Sequence, residues 1–169
     1  MYNIMITDTD LWDIINERKI KVNDIFMKDE PPLHINYGGY IINLQDQELN
    51  EGGTHWVGIW FPLTNKEDII YMDSFGFICP QSVINWIKRR GGKYSHCKIL
   101  CNSKQIQNVN TGGCGIYSLF FIDFMQRHIK PNNSEKLLKK WCKIWDNDTT
   151  NNLKLLKEYI PYYKDSETF

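Results

Sequence analysis

No stretch of this chain approaches the roughly 18 consecutive apolar residues that a membrane-crossing helix needs, so a membrane protein is not expected. Charge of one sign is also missing. Twenty basic side chains balance 20 acidic ones, and nothing global draws the chain toward nucleic acid or an anionic membrane. The first residues, Met1 to Met5, lack a basic segment followed by an apolar one, so secretion is not expected. Cysteine is scarce and odd in number. Cys79, Cys97, Cys101, Cys114 and Cys142 give no disulfide framework, and free thiols in a reducing compartment are the simpler expectation. No internal repeat or low-complexity linker divides the chain.

What remains is the composition of a globular domain. Apolar residues make up 42% and aromatics 14% of 169 residues, enough for one domain over residues 1–169 with a real core. Thr7 or Asp8 can cap a first helix carrying Leu11, Trp12, Ile14 and Ile15. Tyr40 to Leu44 reads as a strand, Gln45 to Gly53 as a loop, and His55 to Phe61 as a second strand. A turn at Asn65–Asp68 leads to a third strand, Ile69 to Ser74. An antiparallel hairpin of these last two strands puts His55 and Asp73 at the same edge of the sheet. Pro80 suits the first turn of a helix running to Arg90, which Gly91-Gly92 ends. Ser95 to Cys101 reads as a strand. Cys114 to His128 is apolar on nearly every side, the pattern of an interior helix. Further helices are expected over Ser134–Trp145 and Asn152–Tyr159. The predicted class is α+β, with a short, mostly antiparallel sheet and a buried helix that begins at Cys114.

The order of four residues then carries chemistry: His55, Asp73, Gln107, Cys114. A cysteine nucleophile needs a base, a group that orients the base, and donors for the oxyanion it creates. Cys114 starts a helix, where free backbone N–H groups favour a thiolate, and Gly113 leaves room for a substrate carbonyl. A lone Cys-Gly is more often a buried structural pair; its companions decide the matter. His55 can act as base and then acid near neutral pH. Of the other histidines, His34 lies in a Pro-rich loop and His96 beside Cys97. His128 is at the far end of the helix, about 20 Å from Cys114 at about 1.5 Å per residue. Asp73 can orient His55, or simply cap the turn Ser74-Phe75-Gly76. Gln107 can donate to the oxyanion with the Cys114 amide. Trp56 can wall the site, although a strand tryptophan is usually core.

Two rival constellations are weaker. His96, Cys97 and Cys101 lack the second Cys/His pair of a zinc site, so no metal is expected. Lys136, Lys139, Lys140 and Lys143 share a helix face and, with Lys88, Arg89, Arg90 and Lys93, form a basic surface. In a neutral chain a solvated face explains it better than a polyanion track.

These residues resemble an adenovirus-type cysteine protease, of the clan that includes the SUMO-specific proteases. Gly52-Gly53-Thr54-His55-Trp56 is similar to the stretch carrying the adenoviral histidine, and Asp73-Ser74-Phe75-Gly76 to the acid-x-Phe-Gly stretch after it. Gln107 to Gly115 resembles the element holding the oxyanion glutamine and the nucleophile. The resemblance runs from about residue 40 to 128. The Gln-to-Cys separation is seven, as in the adenoviral enzymes; SUMO proteases usually have six, and Asp where this chain has Gly113. The acid is Asp, as in SUMO proteases, where adenoviral enzymes often have Glu.

The resemblance implies a permuted papain-like fold with His before Cys, on a viral cysteine endopeptidase that cleaves capsid and core precursors during virion maturation. It implies a monomer, located in the virion and inside the infected cell, that needs no cofactor for its chemistry. Related enzymes are stimulated by DNA and by a short disulfide-linked peptide, and Cys97 lies within one residue of the position equivalent to that linkage. The same-class alternative is a protease for ubiquitin-like modifiers. The alternative of another class is a non-catalytic capsid-associated or nucleic-acid-binding protein retaining the protease fold.

Overall fold

Along residues 56–61 each alternate side chain enters a different core. Trp56 and Trp60 join one cluster, while Val57, Ile59 and Phe61 join another. This is the period-2 pattern of a strand covered on both faces. The computed structural model describes residues 6–45, 55–128 and 133–159. Its elements run α1 (Asp8–Arg18), β1 (Val22–Met27), β2 (Gly38–Asn43), β3 (Trp56–Phe61), β4 (Ile69–Met72), α2 (Gln81–Arg90), a 3-10 turn (Gly92–Tyr94), β5 (Ile99–Cys101), α3 (Cys114–His128), α4 (Ser134–Ile144) and α5 (Thr149–Tyr159).

The class is α+β, and the five strands lie side by side in chain order. The sheet is antiparallel through its centre and parallel at its two edges. β2–β3 and β3–β4 are antiparallel, whereas β1–β2 and β4–β5 are parallel. A parallel neighbour requires a crossover connection, and between β4 and β5 the crossover is α2. β1 was not expected at all. Its register slips between Val22 and Asp24, so the irregularity erases the alternation by which a strand is recognised. The strand expected over Ser95–Cys101 shortens to β5, because the chain after Gly91 first makes a turn in which Cys97 N–H donates to Tyr94 O at 3.0 Å.

One sheet face carries α3, flanked by α1 and α4. Every residue from Gly115 to Met125 is buried, as an interior helix requires. The close approach depends on two glycines. A methyl group at Gly58 would lie 2.8 Å from Phe121 Cδ1, and one at Gly39 would lie 2.5 Å from Ile122 Cγ2. Trp141 of α4 is fully buried against Phe120, Phe121, Phe124 and Trp145. On the other face α2 contributes Val83, Trp86 and Ile87. At the start of α1, Thr7 Oγ1 accepts from Asp10 N–H while an Asp10 carboxyl oxygen accepts from Thr7 N–H at 2.8 Å. This reciprocal pair satisfies two otherwise orphaned donors. Among the described residues, no helix is long and apolar enough to cross a membrane.

Candidate active site

The β3–β4 hairpin positions the first two residues of the site. His55 immediately precedes β3, and Asp73 immediately follows β4. Antiparallel pairing sets these ends together, and His55 Nε2 donates to Asp73 Oδ2 at 2.8 Å. The other carboxyl oxygen, Oδ1, accepts from Phe75 N–H at 2.8 Å, while Gly76 N–H donates to Asp73 O at 2.9 Å. Orienting a histidine and capping a turn were alternatives in sequence. Asp73 does both, one oxygen to each. The Phe75 ring stacks on His55 with centroids 4.8 Å apart.

Asp73 is 1% exposed, and its backbone is clamped by Asn102. Asn102 Oδ1 accepts from Asp73 N–H at 2.9 Å, and Asn102 Nδ2 donates to Asp73 O at 2.7 Å and to Lys104 O at 3.0 Å. Sequence reasoning missed this residue. It lies 29 positions from the group it holds, and neither periodicity nor turn chemistry links two such segments.

Cys114 opens α3 beside the same strand. Trp56 N–H points at Cys114 Sγ at 3.3 Å. With Nε2 committed to Asp73, Nδ1 is the ring nitrogen left for a second partner; it is buried and has no hydrogen-bond partner. Burial is the largest influence on the imidazole and lowers its pKa. The hydrogen bond to Asp73 and the proximity of Cys114, together with their charges, outweigh it and raise the pKa from 6.5 to about 9. An imidazolium is thus favoured at the one place where a proton from the thiol would go.

Gln107 is 1% exposed and held at both ends of its amide. Oε1 accepts from Ser74 Oγ at 2.6 Å, and Nε2 donates to Thr111 O at 2.6 Å. Thr111 belongs to a turn closed on Asn108, through Thr111 N–H to Asn108 O at 3.0 Å and Thr111 Oγ1 to the same oxygen at 2.8 Å. An amide nitrogen carries two hydrogens, so the bond to Thr111 leaves one for another acceptor.

Two further expectations need revision. Trp56 does not wall a cleft: its side chain is core, 4% exposed, with Nε1 donating to Ile6 O at 3.0 Å. Its contribution to the site is its backbone N–H. Gly113 is buried and sits at φ 107°, a region that L side chains rarely adopt. Glycine is needed there by the backbone that delivers Cys114, not only by room for a substrate. Gly52, Gly53 and Thr54 lie outside the described residues. Cys97 is on the α2 side of the sheet, half-buried, its thiol directed at Asn65 O at 3.6 Å. His34 and His96 are exposed, and His128 is tied to its own helix through Nδ1 to Phe124 O at 2.9 Å. The lysines of α4 face solvent. Among the described residues, no group of three His, Cys, Asp or Glu side chains is placed to hold a metal ion.

No protein-family model and no curated protein matches the chain. Among solved structures it is similar to two crystal structures of the ASFV pS273R protease. One, of the selenomethionine form, is 23% identical with a TM-score of 0.42 over 64% of this chain and 44% of that one. The other is 25% identical with a TM-score of 0.41 over 64% of this chain and 42% of that one. The chain thus spans less than half the length of the proteins it matches.

Proposed function

We propose that this chain is a viral cysteine endopeptidase of adenovirus type, with the permuted papain-like fold, that cleaves capsid and core precursor polypeptides during virion maturation. The observation that carries the reading is the bond from His55 Nε2 to Asp73 at 2.8 Å, which frees Nδ1 for a cysteine that begins a buried helix. The Cys114 proton passes to His55 Nδ1, and the Sγ thiolate attacks the peptide carbonyl carbon. The carbonyl oxygen becomes an oxyanion, held by the Cys114 backbone N–H and the second hydrogen of Gln107 Nε2. As the tetrahedral intermediate collapses, the C–N bond breaks and His55 returns the proton to the leaving amine. Water, deprotonated by His55, then attacks the acyl-enzyme carbonyl and releases the thiol. Asp73 holds one tautomer of His55 throughout and stabilises its cation.

The surface beside these residues suits an extended polypeptide. Phe77 is 65% exposed and Val109 68%. They stand on the loops after Asp73 and after Gln107, and apolar side chains of a precursor can pack on them. The enzyme acts as a monomer in the virion and the interior of the infected cell, and its chemistry requires no cofactor. An activating peptide joined through Cys97, and DNA, are the accessory partners of this reading.

The test is incubation with the virus's own capsid and core precursors, with cut sites read by mass spectrometry. Discrete cleavage that disappears in Cys114→Ala is expected; equal cleavage by that variant overturns the proposal. Strong labelling of Cys114 by a SUMO or ubiquitin probe would instead identify a modifier protease. An experimental structure with His55 and Cys114 Sγ more than about 6 Å apart would favour the non-catalytic alternative.

A further inference from the structure

The residue after Asp73 reaches the opposite side of the site. Ser74 is fully buried. Its carbonyl accepts from Ile106 N–H and Gln107 N–H, both at 2.9 Å, and its hydroxyl donates to Gln107 Oε1 at 2.6 Å. The segment that ends β4 therefore fixes Gln107 at backbone and side chain together. The bond of Asp73 to His55 and the bond of Ser74 to Gln107 come from adjacent residues of one rigid strand end, itself clamped by Asn102.

We propose that Ser74 is a positioning residue for the oxyanion hole, which sets the rotation of the Gln107 amide so that Nε2 faces the reacting carbonyl. The proposal rests on the protease reading. A primary amide can present oxygen or nitrogen by a half-turn, and only nitrogen can donate to an oxyanion. The Ser74 hydroxyl gives Oε1 a buried donor. The Thr111 carbonyl gives Nε2 an acceptor but lies on an irregular loop. Without Ser74, Oε1 is a buried acceptor lacking its donor, which favours rotation or withdrawal of the amide. Only the step that forms the oxyanion suffers. Thiol reactivity, set by His55 and Asp73, does not.

The experiment compares wild type with Ser74→Ala, Ser74→Cys (similar volume, poorer donor), Gln107→Ala and Ser74→Ala/Gln107→Ala. Three readouts are used, with thermal melts alongside. They are hydrolysis of N-acetylglycine p-nitrophenyl ester, affinity for N-acetylglycinal, whose hemithioacetal carries the oxyanion, and alkylation of Cys114 by iodoacetamide, which forms none. Loss of an oxyanion donor costs about 10²–10³ in rate. A misdirected donor is expected to lower kcat and aldehyde affinity together by about tenfold or more, with KM and the pH profile of alkylation unchanged. Ser74→Cys is expected between wild type and Ser74→Ala. The double variant is expected to match Gln107→Ala, because Ser74 has nothing left to position. Full kcat in Ser74→Ala or Ser74→Cys, or an additive loss in the double variant, overturns the proposal while the protease reading stands. So does parallel loss of alkylation in folded variants, which marks a general structural role. A folded wild type that neither hydrolyses the ester nor alkylates at Cys114 faster than a free cysteine overturns both.

Discussion

Replacing Asp73 with Asn removes one acceptor and leaves the shape. Asp73 gives one oxygen to His55 Nε2 and the other to Phe75 N–H. An asparagine has a single amide oxygen, so it can keep one of these bonds. Keeping the turn bond turns its NH₂ toward His55, and Nε2 must then become the acceptor, which moves the ring hydrogen to Nδ1. The base is then blocked at the nitrogen that serves Cys114. The size of the effect follows from the imidazole. A rise from 6.5 to about 9 corresponds to roughly 3 kcal/mol at about 1.4 kcal/mol per pH unit. That stabilisation is shared between Asp73 and Cys114. Because the folded pKa is raised, it is fully present below about pH 6.5 and lost as pH rises through about 9. In Asp73→Asn the burial that opposes protonation persists while the largest opposing influence is gone.

His55 is therefore expected to titrate at or below 6.5 in Asp73→Asn, followed through its ring proton by NMR. Wild-type unfolding free energy should decline between about pH 6.5 and 9, while that of the variant should be nearly flat across the window. Turnover should fall by about 10²–10⁴, in line with a wrong-tautomer base. A His55 that still titrates near 9 in the folded variant would refute the reasoning. It would mean that Cys114 alone holds the cation.

Other perturbations separate chemistry from packing. Gln107→Ala is expected to lower kcat by about 10²–10³ without unfolding the protein, checked by kinetics beside a thermal melt. Gly58→Ala places a methyl 2.8 Å from Phe121 Cδ1 and should cost about 1–3 kcal/mol by denaturant titration, because α3 must lift from the sheet. Gly113→Asp forces a side chain onto φ 107° and should cost about 1–3 kcal/mol of strain, seen as a lower denaturation midpoint; an unchanged midpoint would mean the backbone before Cys114 has freedom to relax. Asn102→Ala leaves the Asp73 N–H without its buried acceptor and should lower stability by about 1–3 kcal/mol, with the His55 pKa falling as Asp73 loosens.

The residues legible in sequence were those whose neighbours along the chain carry the signal. A long segment apolar on nearly every side announced α3, and the alternation around Trp56 announced β3; hairpin geometry then implied that His55 and Asp73 meet. β1 was invisible because its slip in register removes the period that identifies a strand. Cys114 and His55 could be named from position and type. Their supports could not, since Asn102 and Ser74 act through hydrogen bonds between segments far apart in the chain. Trp56 shows the reverse error: an aromatic beside a histidine suggests a wall to the cleft, yet burial assigns the ring to the core and only its N–H to the sulfur. Local pattern names the atoms that react. What holds them, and at which nitrogen, is set by contacts between strand ends: the pairing of β3 with β4 brings Asp73 to His55, and the pairing of β4 with β5 brings Asn102 to the Asp73 backbone.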